Sequence, residues 1–431
     1  MPHLKHSITN EVQAAKRVAQ HARRGIFPWL YWGIAASFYL YEFFARVAPS
    51  TFEGQIQKNF SLDASELGFV MGLYYLAYAP MQLVVGIALD RFGSRRLLSS
   101  AAIIAGLGCL VFALADNVST LALGRIMLGI GSSFAYVGAV YVATVWFPRK
   151  RLALIMGMTA ALGTIGAALG EAPLREAVQK YGSAEAMYTA ALAGLAISIL
   201  IFVIVPRRPR WFLKLAKLDN PESTDNMFKG LREVVVNRQT WLVAIISLLL
   251  YVPISTFGAL WGISYVSTAA DVPKESAAWA MTMLFLGFAA GGPILGLLSD
   301  RLNLRRFPIL LGGALSAFSM GMLLLAPSLP FSVTVILLIS TGFFAGAQAI
   351  TFAVAVEQHG TFCRATAVAF VNFFVMLGGF LLQPAFGAVL DSTSSTSTYT
   401  VADYQNAFVL LPISILIGTI LSFWLKETSE K

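Results

Sequence analysis

The chain has 431 residues, of which 57% are apolar and only 12% charged, with a mean hydropathy of +0.71. A soluble domain carries about 25% charged residues, so the composition excludes an ordinary soluble enzyme and points to an integral membrane protein. The net charge of +9 comes from 31 Lys and Arg against 22 Asp and Glu, and its placement along the chain decides what it means.

Residues 1–27 are polar and basic, with no apolar core of the signal-peptide kind. They read as a tail on the cytoplasmic side. Apolar runs then follow at about 28–50, 65–89, 97–115, 118–146, 151–170 and 187–205. After a polar, proline-bearing stretch at 206–239 come six more, at about 240–266, 275–298, 307–325, 331–356, 365–390 and 404–425, and a short tail at 426–431. Each run reaches or approaches the ~20 residues a helix needs to cross a bilayer. A helix is the only solution for an isolated span, because lipid offers its backbone no partner. The expectation is an all-α membrane protein with twelve transmembrane helices: a six-helix bundle over 28–205, a linker over 206–239 and a second bundle over 240–425.

With the N-terminus inside, the cytoplasmic segments hold 25 Lys and Arg and the outer loops four: Lys58, Arg175, Lys180 and Lys274. That bias predicts a multi-pass protein of the inner membrane with both termini cytoplasmic. The basic balance is then a topology signal and a contact with anionic lipid at 207–217; nucleic acid is not expected as a partner.

The two halves repeat. "GIALDRFGSRR" at 86–96 and "GLLSDRLNLRR" at 296–306 share Gly86, Asp90, Arg91, Arg95 and Arg96 with Gly296, Asp300, Arg301, Arg305 and Arg306 at a constant offset of 210. Internal duplication at equivalent loops of two six-span halves marks secondary transporter folds. The pattern G-x-x-x-D-R-x-G-x-R-R resembles the cytoplasmic loop signature of the major facilitator superfamily, with Ser94 where a basic residue is usual and Asn303 in place of the second glycine. "GRIMLGIGSS" at 124–133 is similar to that family's R-x-x-x-G-x-G segment, and Glu357 with Arg364 matches its E-x(6)-R pattern. The resemblance implies two pseudo-symmetric six-helix bundles moving a solute by alternating access, without a cofactor; a monomer is expected. It also implies a gating layer of ion pairs from Asp90, Arg91, Arg95, Asp300, Arg301, Glu357 and Arg364. The same residues read locally as loop stabilisers and topology charges.

Within the spans, "YEFFARVAPS" at 41–50 places Glu42 and Arg46 one helical turn apart, and Arg125 lies at similar depth in the fourth span. At 1.5 Å per residue, Glu42 sits ~12 Å below the outer end of its helix. Charges at such depth face a partner or a cavity and mark solute or proton paths. Glu42 is therefore expected beside Arg125, Arg46 or both, either as a structural pair or as a coupling carboxyl with arginines that receive the substrate. The offset of 210 puts Val252 and Val335 opposite Glu42 and Arg125, so the second half lacks these charges. Its candidates are neutral: Tyr251, Trp261, Tyr265, Gln348, Asn372 and Gln383. Tyr39, Tyr74, Tyr75, Tyr78 and Gln82 complete the expected substrate-binding set, with membrane-interface anchoring as the plainer reading of any one aromatic.

Within the superfamily, "YEFFARVAPS", "FGALWGISYV" (257–266) and "VNFFVMLGGFLLQP" (371–384) resemble bacterial phagosomal-type nutrient transporters, which import amino acids or nucleosides. The span 1 arginine resembles that of organic anion:cation symporters, whose neighbouring aspartate is Ala45 here. The leading expectation is a proton-coupled importer of a small polar metabolite, an amino acid, nucleoside or organic anion. An antiporting exporter and a non-transporting membrane sensor on the same fold are the alternatives. The chain shows no H-E-x-x-H, phosphate loop or Cys/His ligand cluster, and no enzyme activity or metal is expected.

Overall fold

A computed structural model describes residues 25–207, 227–326, 329–359, 364–394 and 399–428; the side chains of Asp90, Arg91 and Arg364 lie outside the described set. Twelve helical rods run through it. In the first half they are α1 (Phe27–Val47), α2 (Ala64–Phe92), α3 (Ser94–Ala113), α4 (Val118–Trp146), α5 (Ile155–Tyr181) and α6 (Ser183–Ile204). In the second they are α7 (Arg238–Ala269), α8 (Lys274–Leu302), α9 (Arg306–Leu325), α10 (Phe331–Glu357), α11 (Arg364–Thr393) and α12 (Val401–Trp424). Ten are long and apolar enough to cross a membrane among the described residues; α1 and α2 complete the twelve.

Packing repeats with the sequence. α3 packs on α6 as α9 packs on α12, α2 on α4 as α8 on α10, and α1 on α5 as α7 on α11. Between the bundles, α2 packs on α11 and α5 on α8, again equivalent under the six-helix offset. Small residues set the closest approaches. A Cβ on Gly124 would lie 2.8 Å from the Phe112 nitrogen and 2.9 Å from the Gly108 carbonyl oxygen. On Gly68 of α2, it would lie 2.5 Å from the Gln383 carbonyl oxygen and 2.8 Å from Pro384 Cα of α11.

The outer loops expected from sequence are partly helical. The loop expected after residue 170 is instead a continuation of α5, Ala172–Tyr181, and α6 starts at once after Gly182, whose φ of 97° turns the chain. Glu53–Phe60 is a short helix between α1 and α2. Met227–Val236, inside the expected linker, is a helix that packs on α7 and α11. Runs of apolar residues mark spans, and these amphipathic pieces fall below that signal.

Both ends of the described chain lie on one face of the bundle, here the terminal face; the opposite one is the far face. The side-chain bonds that join the bundles gather at the far face. Asp391 of α11 accepts from Ala64 N at 3.0 Å and Ser65 N at 2.7 Å, adding to the capping box of Asp63 and Glu66 at the start of α2. Burial pushes the Tyr399 hydroxyl up, and its bond to Asp391 adds to this, so it stays a donor to that carboxylate at 2.7 Å. Lys274 pairs with Glu53 at 3.0 Å and Arg175 with Glu275 at 3.4 Å. At mid-depth, Tyr75 donates to the Ser255 carbonyl at 3.3 Å. Among the described residues, no side-chain hydrogen bond or ion pair joins the bundles at the terminal face. The far-face bonds hold that face closed.

Candidate functional site: a buried arginine–carboxylate cluster between the bundles

Glu42 and Arg46 follow each other by one turn near the far end of α1, and both are buried, 0% and 3% exposed. Arg46 Nη2 donates to Glu42 Oε1, Tyr74 Oη donates to the same oxygen at 2.5 Å, and Arg46 Nε donates to Tyr74 Oη at 3.1 Å. The three groups close a ring of charge-assisted bonds, the strong kind. Glu42 Oε2 has no partner.

Aromatic faces surround the guanidinium. Arg46 Cζ lies 4.1 Å from the Phe43 ring centre, 5.3 Å from Tyr74, 5.4 Å from Tyr78 and 5.9 Å from Tyr75. Tyr251, from α7 of the other bundle, also faces it. The i, i+4 spacing of Tyr74 and Tyr78 stacks both rings on one side of α2. Such contacts strengthen in a desolvated site, to about 2 kcal/mol or more each. Phe43 is a member that the sequence reading missed; its i, i+3 spacing to Arg46 was the available signal.

Arg125 of α4 does not reach a carboxylate. Its guanidinium donates to the Met71 carbonyl at 3.0 and 3.3 Å and lies 3.4 Å from the Arg46 carbonyl, with the Tyr74 ring 5.0 Å away. Of the pairings expected for Glu42, the one formed is with Arg46. The buried set therefore holds two arginines and one carboxylate among the described residues.

The second bundle contributes backbone. Pro253–Trp261 of α7 winds as a π-helix, and its Ser255 carbonyl accepts from Tyr75 and from Gln383 Nε2 at 2.8 Å. A π-turn lengthens the hydrogen-bond loop and frees carbonyls, and such turns gather at functional sites. Trp261 is 1% exposed with its Nε1 unpartnered, as is Gln383 Oε1. Asn372 is half-buried and makes no side-chain bond among the described residues.

Three expected members stand elsewhere. Gln82 donates to the Ser133 carbonyl at 3.0 Å, Gln348 to Ser247 Oγ at 2.8 Å and Tyr265 to the Leu323 carbonyl at 2.7 Å. Each bond ties helices of one bundle together, so these polar ends are spent on packing and leave the candidate set. Tyr39 is half-buried, packed edge-on against Phe43 and tilted against Tyr136.

At the terminal face the gating reading is redistributed. Arg305 is the hub: it bonds Asp300 at 2.5 Å and Glu357 at 2.7 Å, and these bonds, that to Glu357 foremost, hold its guanidinium above the usual range. Arg301 makes no ion pair among the described residues, and Arg95 lies over the Phe202 ring at 4.5 Å inside its own bundle. The arrangement follows from helix geometry, since residue 305 begins the next helix and can turn back on Asp300. Asp90, Arg91 and Arg364, expected in this layer, lie outside the described side chains.

Comparison with known proteins settles the family. The sequence profile of the Major Facilitator Superfamily matches residues 31–381 and again 243–431. The chain belongs to the major facilitator superfamily. It is thus built on a family of small-solute transporters, not of enzymes. Major facilitator relatives include the membrane sensor protein UhpC of Escherichia coli, 24% identical over 90% of this chain and 92% of that one, and the probable sulfoacetate transporter SauU of Cupriavidus necator, 23% identical over 84% and 87%. Among solved structures, a bacterial homologue of the human lysosomal transporter Spinster, inward-facing and occupied, superposes with a TM-score of 0.76 at 16% identity, covering 94% of this chain and 98% of that one. The D-xylose–proton symporter gives 0.75 at 16%, with the same coverage.

Proposed function

We propose that the protein is a secondary active transporter that imports a small organic anion with protons by alternating access, with Arg46 as the anion-binding residue and Glu42 as the coupling carboxyl. The observation that carries this reading is the charge count of the buried cluster. Two arginines face one carboxylate, a net +1 at a depth where an uncompensated charge is costly. That surplus of positive charge favours an anion as the arriving solute. This narrows the solute classes expected from sequence, since a neutral amino acid or a nucleoside brings no net negative charge.

The cycle follows from the pair. Protonation of Glu42 releases Arg46 from its salt bridge, and the freed guanidinium takes the substrate carboxylate, sulfonate or phosphate in its planar fork. Tyr74, Tyr75, Tyr78 and Tyr251 line the approach. Loss of proton and anion lets the pair re-form, so Arg46 has an anionic partner in both halves of the cycle, while Arg125 stays on the Met71 and Arg46 carbonyls. Trp261 and Asn372 supply polar contacts from the second bundle.

The 25-to-4 bias of Lys and Arg supports a cytoplasmic terminal face in the inner membrane. The closed far face is then the periplasmic one. The boundaries 28–205 and 240–425 for the two bundles, and a role for Asp90, Arg91, Asp300, Glu357 and Arg364 in the opposite gate, belong to the same proposal. SauU, named for an anion, is consistent with it. The UhpC match favours a second reading, a membrane sensor, because UhpC is matched over nearly its whole length.

Reconstitution separates the two. Labelled organic anions should accumulate in proteoliposomes under an inward proton gradient and collapse with a protonophore. Efflux driven by the same gradient would indicate an exporter, and binding without flux a sensor.

A further inference from the structure

α5 is broken at Gly170–Glu171, where Glu171 takes φ −100° and ψ −104° before the helix resumes at Ala172. Pro173 stands in the first turn of the resumed helix, a position proline tolerates, and its missing N–H leaves the Leu169 carbonyl without its helical donor. Glu171 is 0% exposed. Ser50 Oγ donates to its Oε1 at 3.1 Å, and Oε2 has no partner.

The charged groups around it are engaged elsewhere. Arg175, one turn on, gives its guanidinium to the Thr51 carbonyl and to Glu275 of α8. Lys274 of α8 pairs with Glu53 at 3.0 Å, and Ser264 of α7 donates to the same Glu53 oxygen. Tyr404 of α12 and the carboxylate of Glu53 face this region too. Arg46 of α1 is committed to Glu42. No cation among the described residues pairs with Glu171, and one carboxylate stands near it. An ionised carboxyl so placed would be an uncompensated buried charge, a costly arrangement.

The break itself is splinted from the other bundle. In an unbroken helix, Ala172 N would donate to the Ala168 carbonyl. Here Thr282 Oγ1 of α8 stands between them, accepting from Ala172 N at 3.3 Å and lying 3.4 Å from the Ala168 oxygen. When the bundles part at the far face, Thr282 leaves with α8, and the Ala172–Ala168 bond can close. Closing that one bond, with the kink at Pro173 retained, changes the direction of the Glu171 side chain and admits water to it.

We propose that Glu171 is a second proton-carrying carboxyl, set in the far-face gate: it holds its proton while α5 is broken and the bundles are closed, and surrenders it to water when they part. Opening then releases one proton, Glu171 passing from carboxylic acid to carboxylate. The far face is consequently locked at low pH and freed at high pH. The proposal rests on the transporter reading for its physiological meaning, but its test does not.

The test reads the gate directly, without solute. Spin labels at Lys58→Cys and Asp271→Cys, both exposed on the far face and on opposite bundles, are placed in a Cys109→Ala, Cys363→Ala background in nanodiscs, and their distance distribution is measured from mildly acidic to mildly alkaline pH. The long-distance population should rise relative to the short one by up to about tenfold per pH unit, the slope for one released proton. Glu171→Gln, the neutral isostere, should hold the short distance throughout, and Glu171→Asp should restore the pH response. Thr282→Val should raise the open fraction at every pH and keep the slope. A wild-type distribution that ignores pH, or a Glu171→Gln protein that follows it as the wild type does, would overturn the proposal. A solute-transport failure with this pH response intact would instead count against the anion-importer reading alone.

Discussion

Glu42 and Arg46 stand alone as a buried charge pair in the first span, tied through Tyr74, and each residue can be tested separately. Removing one member of a buried pair leaves the other uncompensated, a cost of about 3–5 kcal/mol. Arg46→Ala should therefore lower thermal stability and abolish anion binding, while Arg46→Lys keeps the charge but loses the planar fork and the ring stacking. Lys at this position should weaken anion affinity by at least about tenfold, or ~1.4 kcal/mol, in a calorimetric titration. Full affinity with Lys would assign recognition to charge alone. Arg125 makes a different expectation. Its bonds run to the Met71 and Arg46 carbonyls, so Arg125→Ala should disturb the seating of α1 against α2 and lower stability, besides weakening anion affinity through the lost positive charge. An affinity loss with unchanged melting temperature would make it a direct ligand.

At the level of helices, the glycines divide into two kinds with different expected consequences. Gly124 meets Gly108 and Phe112 inside the first bundle, whereas Gly68 meets the Gln383 carbonyl and Pro384 across the bundle interface. Overpacking costs ~1–3 kcal/mol. Gly124→Ala should lower the melting temperature in every state, and Gly68→Ala should leave each bundle intact but drive the far face open, seen as increased labelling of a far-face cysteine. Equal thermal losses for both would show that the interface is as obligatory as the bundle core. This distinction was invisible in the sequence, where both are small residues in apolar runs. The spans themselves were legible, because twenty apolar residues have one outcome in lipid. The duplicated loop was legible too, since Asp300 and Arg305 recur at a fixed offset. Long-range partners were not: a run of letters says nothing of Thr282 entering the break in α5, nor of Gln82 and Gln348 being used up by Ser133 and Ser247. The i, i+4 spacing of Glu42 and Arg46 already contained the pair that formed, since helix geometry alone brings those side chains together.

For the molecule as a whole, one closed face and one buried cluster with surplus positive charge are the features that a transport cycle must use. α2–α11 and α5–α8, equivalent contacts under the internal repeat, hold the far face shut through Asp391 and Arg175–Glu275, with Lys274 of α8 on Glu53 of the short helix beside them. Apart from Glu53, which is buried, these groups are partly exposed, so the bonds are individually weak and act as a set, which suits a gate that must reopen. The central claim is that Glu42 couples proton movement to anion movement through Arg46, and it is tested most directly by anion uptake into proteoliposomes, comparing wild type with Glu42→Gln. The wild-type protein should concentrate the anion under an inward proton gradient. Glu42→Gln should lose that concentrative uptake yet still exchange labelled for unlabelled anion across the bilayer. A Glu42→Gln protein that concentrates the anion with the wild-type pH dependence would contradict the claim and leave Glu42 and Arg46 as a structural pair.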